Sequence, residues 1–213
     1  MTLNFSVDLT NSNSDINRKI LTALKPQVNN YFKKAISSIK QPILETITKA
    51  IINSPEYDSL LSGDLKYEFG LPDSDERLSS ILKFWQKLYI DTDAIKISGD
   101  QLVGSFSLKM IPSDFSDVLN SSAAVLVTEK KQSLNWLEWL LLFGNQTIIK
   151  DYTVEFGSNP RSRTGQAVMR GVRNGKWSVP SQYAGTLNDN WITRAIDSVE
   201  VDINNILSKA LKG

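Results

Sequence analysis

From Ile16 to Ile51 a large apolar residue returns at every third or fourth position: Ile16, Ile20, Leu24, Val28, Phe32, Ile36, Ile39, Ile43, Ile47 and Ile51. Only a helix, at about 3.6 residues per turn, brings residues so spaced onto one face. Ser12 and Ser14 are the residue type that caps a helix start, and Asp15 suits a positive first turn. Pro26 and Pro42 each lack a backbone donor, so the spacing predicts kinks or two or three helices, with a break near Gln41. The opposite face carries Arg18, Lys19, Lys25, Lys33, Lys34, Lys40 and Lys49. A basic amphipathic helix can lie on a membrane, but the apolar row holds no Trp, and a core-packed helix with a solvated face is the reading adopted.

Beyond this segment the periods change. "SPEYDSLLSG" predicts a short helix and a turn at Ser62-Gly63. Leu65, Tyr67, Phe69 and Leu71 then alternate with Lys66, Glu68 and Gly70, which predicts a strand. Asp73 to Asp75 are placed to cap a helix carrying Leu78, Ile81, Leu82, Trp85 and Leu88. "IKISGDQLVGSFSLKMI" predicts two strands joined at Gly99-Asp100. Residues 113–120 suggest a short helix, and 121–131 suit strand or loop equally. "LNWLEWLLLFGN" predicts a compact helix ended by Gly144 or Asn145, with Trp136, Leu137 and Leu140 in the core; which of Trp136 and Trp139 faces inward is open. "TIIKDYTVEF" predicts a strand with "GQAVMRG" as an antiparallel partner. A last helix is expected from about Asn188, through Ile192, Ile196, Val199, Ile203, Ile206, Leu207 and Ala210. Helices around hairpin-linked strands, without regular βαβ alternation, give the class α+β. Residues 1–14 are expected to be a flexible arm and 15–213 one domain, with a helical segment at 15–53 and a sheet-containing core at 54–213.

The chain has 213 residues and contains neither Cys nor His. Disulfides and thiolate metal sites are excluded, and so are the commonest general base and zinc ligand. Carboxylate or Ser/Lys chemistry remains open, but the pairs Asp91/Asp93, Asp73/Asp75 and Asp114/Asp117 sit at predicted turns and helix starts. Capping explains residues so placed. Asp189, between Asn188 and Asn190, resembles a loose cation loop and is read as the cap of the last helix. No phosphate-binding glycine loop is present. We therefore expect no enzyme, cofactor or metal. No apolar run approaches a membrane span of about eighteen residues, and no secretory leader is visible, so no membrane is expected.

Charge is unevenly spread. Residues 1–53 carry seven Lys/Arg against three Asp/Glu, residues 54–117 six against twelve, and residues 118–213 eleven against eight. Chance would explain this, and so would complementary faces by which copies stack. The densest basic stretch has no acidic residue between Glu155 and Asp189 and contains Arg161, Arg163, Arg170, Arg173 and Lys176 among glycines. These five are the candidate contact residues. They suit a phosphate backbone, with Trp177 and Tyr183 available for stacking, or carboxylates of a neighbouring copy on a mobile glycine-rich loop.

Several blocks in order carry a family likeness: "SPEYDSLLSGDLKYEFGLPD", "LNWLEWLLLFGNQTIIKDYTVEFG", "NPRSRTGQAVM" and "YAGTLNDNWITRAI". Together they resemble the neck or tail-completion proteins of tailed bacteriophages, over most of residues 54–197. The resemblance implies a twisted antiparallel sheet packed on helices. It also implies a structural role in the virion: a homo-oligomeric ring at the head–tail interface, assembled in the host cytoplasm. Its neighbours would be the connector or head-completion protein and the tail terminator or tail tube. It offers no catalytic residues to carry over. It gives the arginine-rich stretch two uses, lining the channel that genomic DNA crosses or gripping an acidic face of the next ring. The alternative from another class is a nucleic-acid-binding module using residues 161–176.

Overall fold

A computed structural model describes residues 12–86, 89–109, 115–129 and 131–212. Most of the expected N-terminal arm therefore lies outside the described residues, as do Leu88, Met110, Ile111, Ser113 and Asp114. At Ser12 a helix is already being capped. The Ser12 hydroxyl accepts from the Asp15 N–H, and the Asp15 carboxylate accepts from the Ser12 N–H, a reciprocal capping box.

The helix it opens, α1 (Asn13–Ile52), runs for 40 residues without the break expected near Gln41. Pro26 and Pro42 both lie inside it, on its exposed side. Each deletes one backbone bond at a cost of about 3 kcal/mol. Around Pro42, burial of Ala35, Ile36, Ile39, Ile43, Ile47 and Ile51 outweighs that cost. Pro26 lies ahead of Ala35, the first buried residue of the helix. The apolar row is accordingly of two kinds. From Ala35 onward it is core, but Ile20, Leu24 and Val28 are 51%, 42% and 37% exposed. The expected core-packed helix is thus found only in the C-terminal half.

Three short helices follow: α2 (Pro55–Ser62), α3 (Asp64–Phe69) and α4 (Ser74–Trp85). The second replaces the strand expected from Leu65 to Leu71. Leu65 and Phe69, one helical turn apart, are both buried, and Gly70 at φ 64 ends the helix in the left-handed region. The Gly70 N–H then bonds the Tyr67 carbonyl and the Leu71 N–H the Lys66 carbonyl, a Schellman ending. Two antiparallel pairs are nested next: β1 (Tyr89–Thr92) with β4 (Phe106–Lys109), enclosing β2 (Lys96–Ser98) with β3 (Gln101–Val103). The inner turn is at Gly99-Asp100 as expected, with Gly99 at φ 58. After α5 (Ser116–Leu119), the ambiguous stretch 121–131 supplies turns and then β5 (Leu126–Val127), which pairs with β6 (Ser133–Leu134).

α6 (Trp136–Leu141) buries Trp136, Leu137, Leu140 and Leu141 and leaves Trp139 half-buried. It ends before Gly144, whose role is different from the expected cap. The Gly144 N–H bonds the Gly185 carbonyl, and a Cβ there would sit 2.6 Å from the Gly185 nitrogen. A long hairpin comes next, β7 (Ile149–Phe156) with β8 (Ala167–Trp177). The expected single last helix is divided into α7 (Trp191–Asp197) and α8 (Glu200–Lys212). Asn190 caps α7 through its side-chain oxygen, which accepts from Ile192 and Thr193. At the division the Ser198 hydroxyl donates to the Ala195 carbonyl at 2.7 Å, a local bond that competes with helix continuation.

The architecture is α+β, with four two-stranded antiparallel pairs among the described residues. Tryptophans bind its parts together. Trp85 meets Trp191 edge-on at 5.0 Å, and Phe69 touches both Trp136 and Trp177 at 5.9 and 5.8 Å. α8 runs back along α1 as far as Tyr31, whose hydroxyl donates to the Ala210 carbonyl at 3.4 Å.

Candidate functional site: the basic face of the long hairpin

Of the five candidate cations, Arg170, Arg173 and Lys176 lie on β8 of the long hairpin, and Arg161 and Arg163 lie on the segment that joins its strands. That segment closes on itself. The Gly157 N–H bonds the Gln166 carbonyl at 2.7 Å, Asn159 N–H bonds Gly165, and the Ala167 N–H reaches the Ser162 hydroxyl. Gly157 at φ 137 and Gly165 at φ 78 occupy the two turns that other residues would strain.

The ribbon contains a large bulge. Lys150 stands opposite Lys176 and Tyr152 opposite Gly171, so Asp151 alone faces Val172 through Gly175. Asp151 and Asn174 are both left-handed at φ 62, and the Asp151 carboxylate accepts from the Asn174 N–H at 3.0 Å. A Cβ on Gly175 would meet the Tyr152 carbonyl at 2.8 Å. The bulge inverts the in-out alternation of β7. Ile149 and Val154 both pack on the core although an odd number of positions separates them. The outer face consequently gathers Lys150 and Lys176, opposite one another, with Arg170 beyond them and Arg173 exposed on the bulge.

The five candidates separate into two roles. Arg163 is structural: its Nη2 donates to the Phe69 carbonyl at 3.3 Å, and its guanidinium lies over Gly70. A Cβ on Gly70 would be 2.5 Å from that Nη2. Burial pushes the Arg163 pKa down, against the opposing pull of the Glu129 charge. Arg170 is held by Glu155, with Nε 3.0 Å from Oε2, in an exposed pair of small energetic weight. Arg161, Arg173 and Lys176 meet no carboxylate among the described residues, and Lys150 joins them. Lys150 escaped the sequence reading because only the bulged register reveals what it faces.

The inner side ties this hairpin to the body. Trp177 is buried, and its indole N–H donates to Glu68 at 3.1 Å. Burial raises the Glu68 pKa; the Trp177 bond opposes the rise, and the Asp64 charge adds to it. Tyr183, the other expected stacking residue, is half-buried and packs against the core.

Chemically, the outer face offers positive charge and no paired nucleophile and base. Among the described residues no group of three or more Asp or Glu side chains gathers to hold a metal ion. The cap of α7 is Asn190 and not the expected Asp189, which instead pairs with Arg194 at 2.8 Å. Asp73 occupies the cap position of α4 and pairs with Arg77, and the Asp93 carboxylate accepts from the Ser105 hydroxyl. Among the described residues no helix is long and apolar enough to cross a membrane. No family model, curated protein or solved structure matches the chain.

Proposed function

We propose that this chain is a non-enzymatic structural protein of a tailed-bacteriophage virion, one subunit of a homo-oligomeric ring in the neck. In that role it joins the connector or head-completion protein to the tail terminator or tail tube, around the channel through which genomic DNA passes. The family likeness of its sequence blocks supports the setting. The observation that carries the reading is the outer face of β7–β8, where Lys150, Arg173 and Lys176 meet no carboxylate among the described residues, with Arg161 likewise on the segment that joins the two strands.

The physics of a channel fits such a face. Reading bases requires side chains held into a groove by a fitted element, whereas a shallow cationic surface touches only phosphates. Contacts of that kind are weak and screened by salt, so DNA can slide past them. Two lysines directly opposite one another repel, and an anion passing over them relieves the repulsion.

The same unpaired cations favour a second reading, a nucleic-acid-binding module that works alone. Particle images of the purified protein and of virions, with duplex binding over a salt series, separate the two. Closed rings in the neck with weak duplex binding support the first reading. A monomer that binds duplex tightly, with a steep salt dependence and no place in the virion, supports the second. Neck rings that ignore DNA would turn the cationic face toward an acidic neighbouring protein.

A further inference from the structure

We propose that Asn174-Gly175, on the bulge of the long hairpin, is a self-modification site. Asn174 deamidates without an enzyme and places a carboxylate on the cationic face. The chemistry is independent of the proposed function; only its effect on DNA binding rests on that reading.

The chain contains one Asn-Gly pair, and the bulge is what calls for it. Asn174 has φ 62, in the left-handed region that Asn tolerates and most side chains avoid. Its N–H donates to the Asp151 carboxylate at 3.0 Å. Gly175 is fixed by space: a Cβ there would meet the Tyr152 and Val172 carbonyl oxygens at 2.8 and 2.9 Å. The bulge therefore admits few other residues at either position. In doing so it sets an exposed asparagine directly before a residue with no Cβ to crowd its carboxamide.

The reaction balances within the chain and one water molecule. The Gly175 nitrogen loses its proton and attacks Cγ of Asn174. A bond forms between that nitrogen and Cγ, the Cγ–Nδ2 bond breaks, and ammonia leaves with the proton. Water then opens the five-membered succinimide at either of its carbonyl carbons, giving aspartate or isoaspartate. No oxidant or reductant takes part.

The surroundings favour each step. Asn174 has no cross-strand partner, because the register passes from Lys150 opposite Lys176 to Tyr152 opposite Gly171. Turning its backbone for the attack thus breaks no ladder pair of its own. Arg173 precedes Asn174, Lys176 follows Gly175, and Lys150 stands opposite Lys176. Three cations against the single carboxylate of Asp151 favour the anionic form of the attacking nitrogen. Conversion adds a second carboxylate among those cations. An anion there repels phosphate and pairs with the lysines and Arg173, so duplex binding releases fewer counterions. Since the reaction needs only time and water, the face loses positive charge as the protein ages.

The test incubates the folded full chain at neutral pH and follows Asn174 by peptide mass spectrometry with enzymatic methylation of isoaspartate. Asn120 and Asn145, exposed and followed by Ser121 and Gln146, are the internal references. Asn174 should convert roughly tenfold or more faster than either, since only its successor lacks a Cβ. This measurement uses the unaltered chain and depends on no variant. Affinity for a short DNA duplex, measured at about 0.05 M salt where exposed charges are little screened, should fall several-fold in the aged sample. The slope of log affinity against log salt should fall by about one. Asn174→Asp should show the same loss when fresh. Asn174→Gly suits the left-handed position without the amide and should keep its affinity on ageing. Melting curves of all samples separate a charge effect from unfolding. If Asn174 stays intact in the folded chain but converts in urea, the fold protects it and the proposal is overturned. Conversion no faster than at Asn120 or Asn145 would overturn it too. Conversion with unchanged duplex affinity would establish the site and remove DNA as the partner of this face.

Discussion

Arg194 and Glu56, separated by 138 positions, are joined at one oxygen: Nε and Nη2 of the arginine both donate to Glu56 Oε1, at 3.1 and 2.8 Å. Glu56 is 4% exposed, so its charge depends on that partner. Arg194 also reaches Asp189 and the carbonyls of Tyr183 and Ala184, fastening α7 and the loop before it onto α2. Removing one member of a buried pair strands the other charge. Arg194 is about a third exposed, so solvent moderates the loss. We expect Arg194→Ala to lower unfolding free energy by about 2–4 kcal/mol, read as a shift of the denaturant midpoint. A change under about 0.5 kcal/mol would mean that this pair does not hold the C-terminal helices.

Trp136 and Trp139 belong to one helix and have unequal stakes in it. Trp136 is fully buried, touches Phe69 and donates its indole N–H to the Ala123 carbonyl at 3.0 Å. Trp139 is half-buried and meets Trp177 edge-on. Trp136→Ala should cost about 3–5 kcal/mol and Trp139→Ala about 1–2. Equal losses in equilibrium denaturation would contradict the orientation of α6.

Arg163 should behave unlike its basic neighbours. Arg163→Ala removes the bond to Phe69 and uncovers Gly70, at an expected cost of about 1–2 kcal/mol. Arg161→Ala and Arg173→Ala should each stay within about 0.5 kcal/mol. Gly70→Ala should be worse than any of them, since it strains the φ of 64 and intrudes on the guanidinium. Thermal melts of the four variants check the ranking, and indifference at Arg163 would make it one more surface cation.

Glu68 gives a pH dependence whose sign follows from its surroundings. Its pKa is raised, chiefly by burial. A carboxyl with a raised folded pKa favours the fold most while protonated. That contribution is full below the unfolded-chain value of about 4.3 and is lost as pH rises through the folded value. Glu68→Gln keeps an acceptor for Trp177 and removes the titration. The Gln variant should therefore match the unaltered chain near pH 4 and exceed it in stability above the folded pKa. A gap that is the same at both ends of the series would show that desolvation of Glu68 has no part in folding.

Local chemistry made much of this legible from residues alone. Ser12 and the turn at Gly99-Asp100 announced their positions because those signals need only neighbouring residues, whereas the cap expected at Asp189 falls on Asn190. The misread elements depend on distant partners. Leu65 to Leu71 alternates like a strand, yet Leu65 and Phe69 point to the core as a helical pair because Trp136 and Trp177 await Phe69 there. The unbroken α1 needs the packing around Pro42, which no local propensity contains. Arg161, Arg163, Arg170, Arg173 and Lys176 were visible as a group, but their division into pinned and free cations is set by Gly70, Glu155 and a bulged register.

Lys150 opposite Lys176 is the place where folding and binding should pull apart. Like charges directly across an antiparallel pair are unfavourable, and opposite charges contribute about 0.2–1 kcal/mol. Lys150→Glu replaces the first situation with the second, so it should raise the melting temperature slightly. It also removes one cation from the outer face and adds an anion to it. Each phosphate contact contributes about 0.9 to the slope of log affinity against log salt, so duplex binding should weaken and its slope fall by about one to two. Both changes come from one substitution, which makes the pair of measurements decisive. A lower melting temperature would mean that the two lysines do not share a face. Unchanged duplex affinity with a raised melting temperature would leave the ribbon's geometry intact and remove nucleic acid as the partner of its outer face.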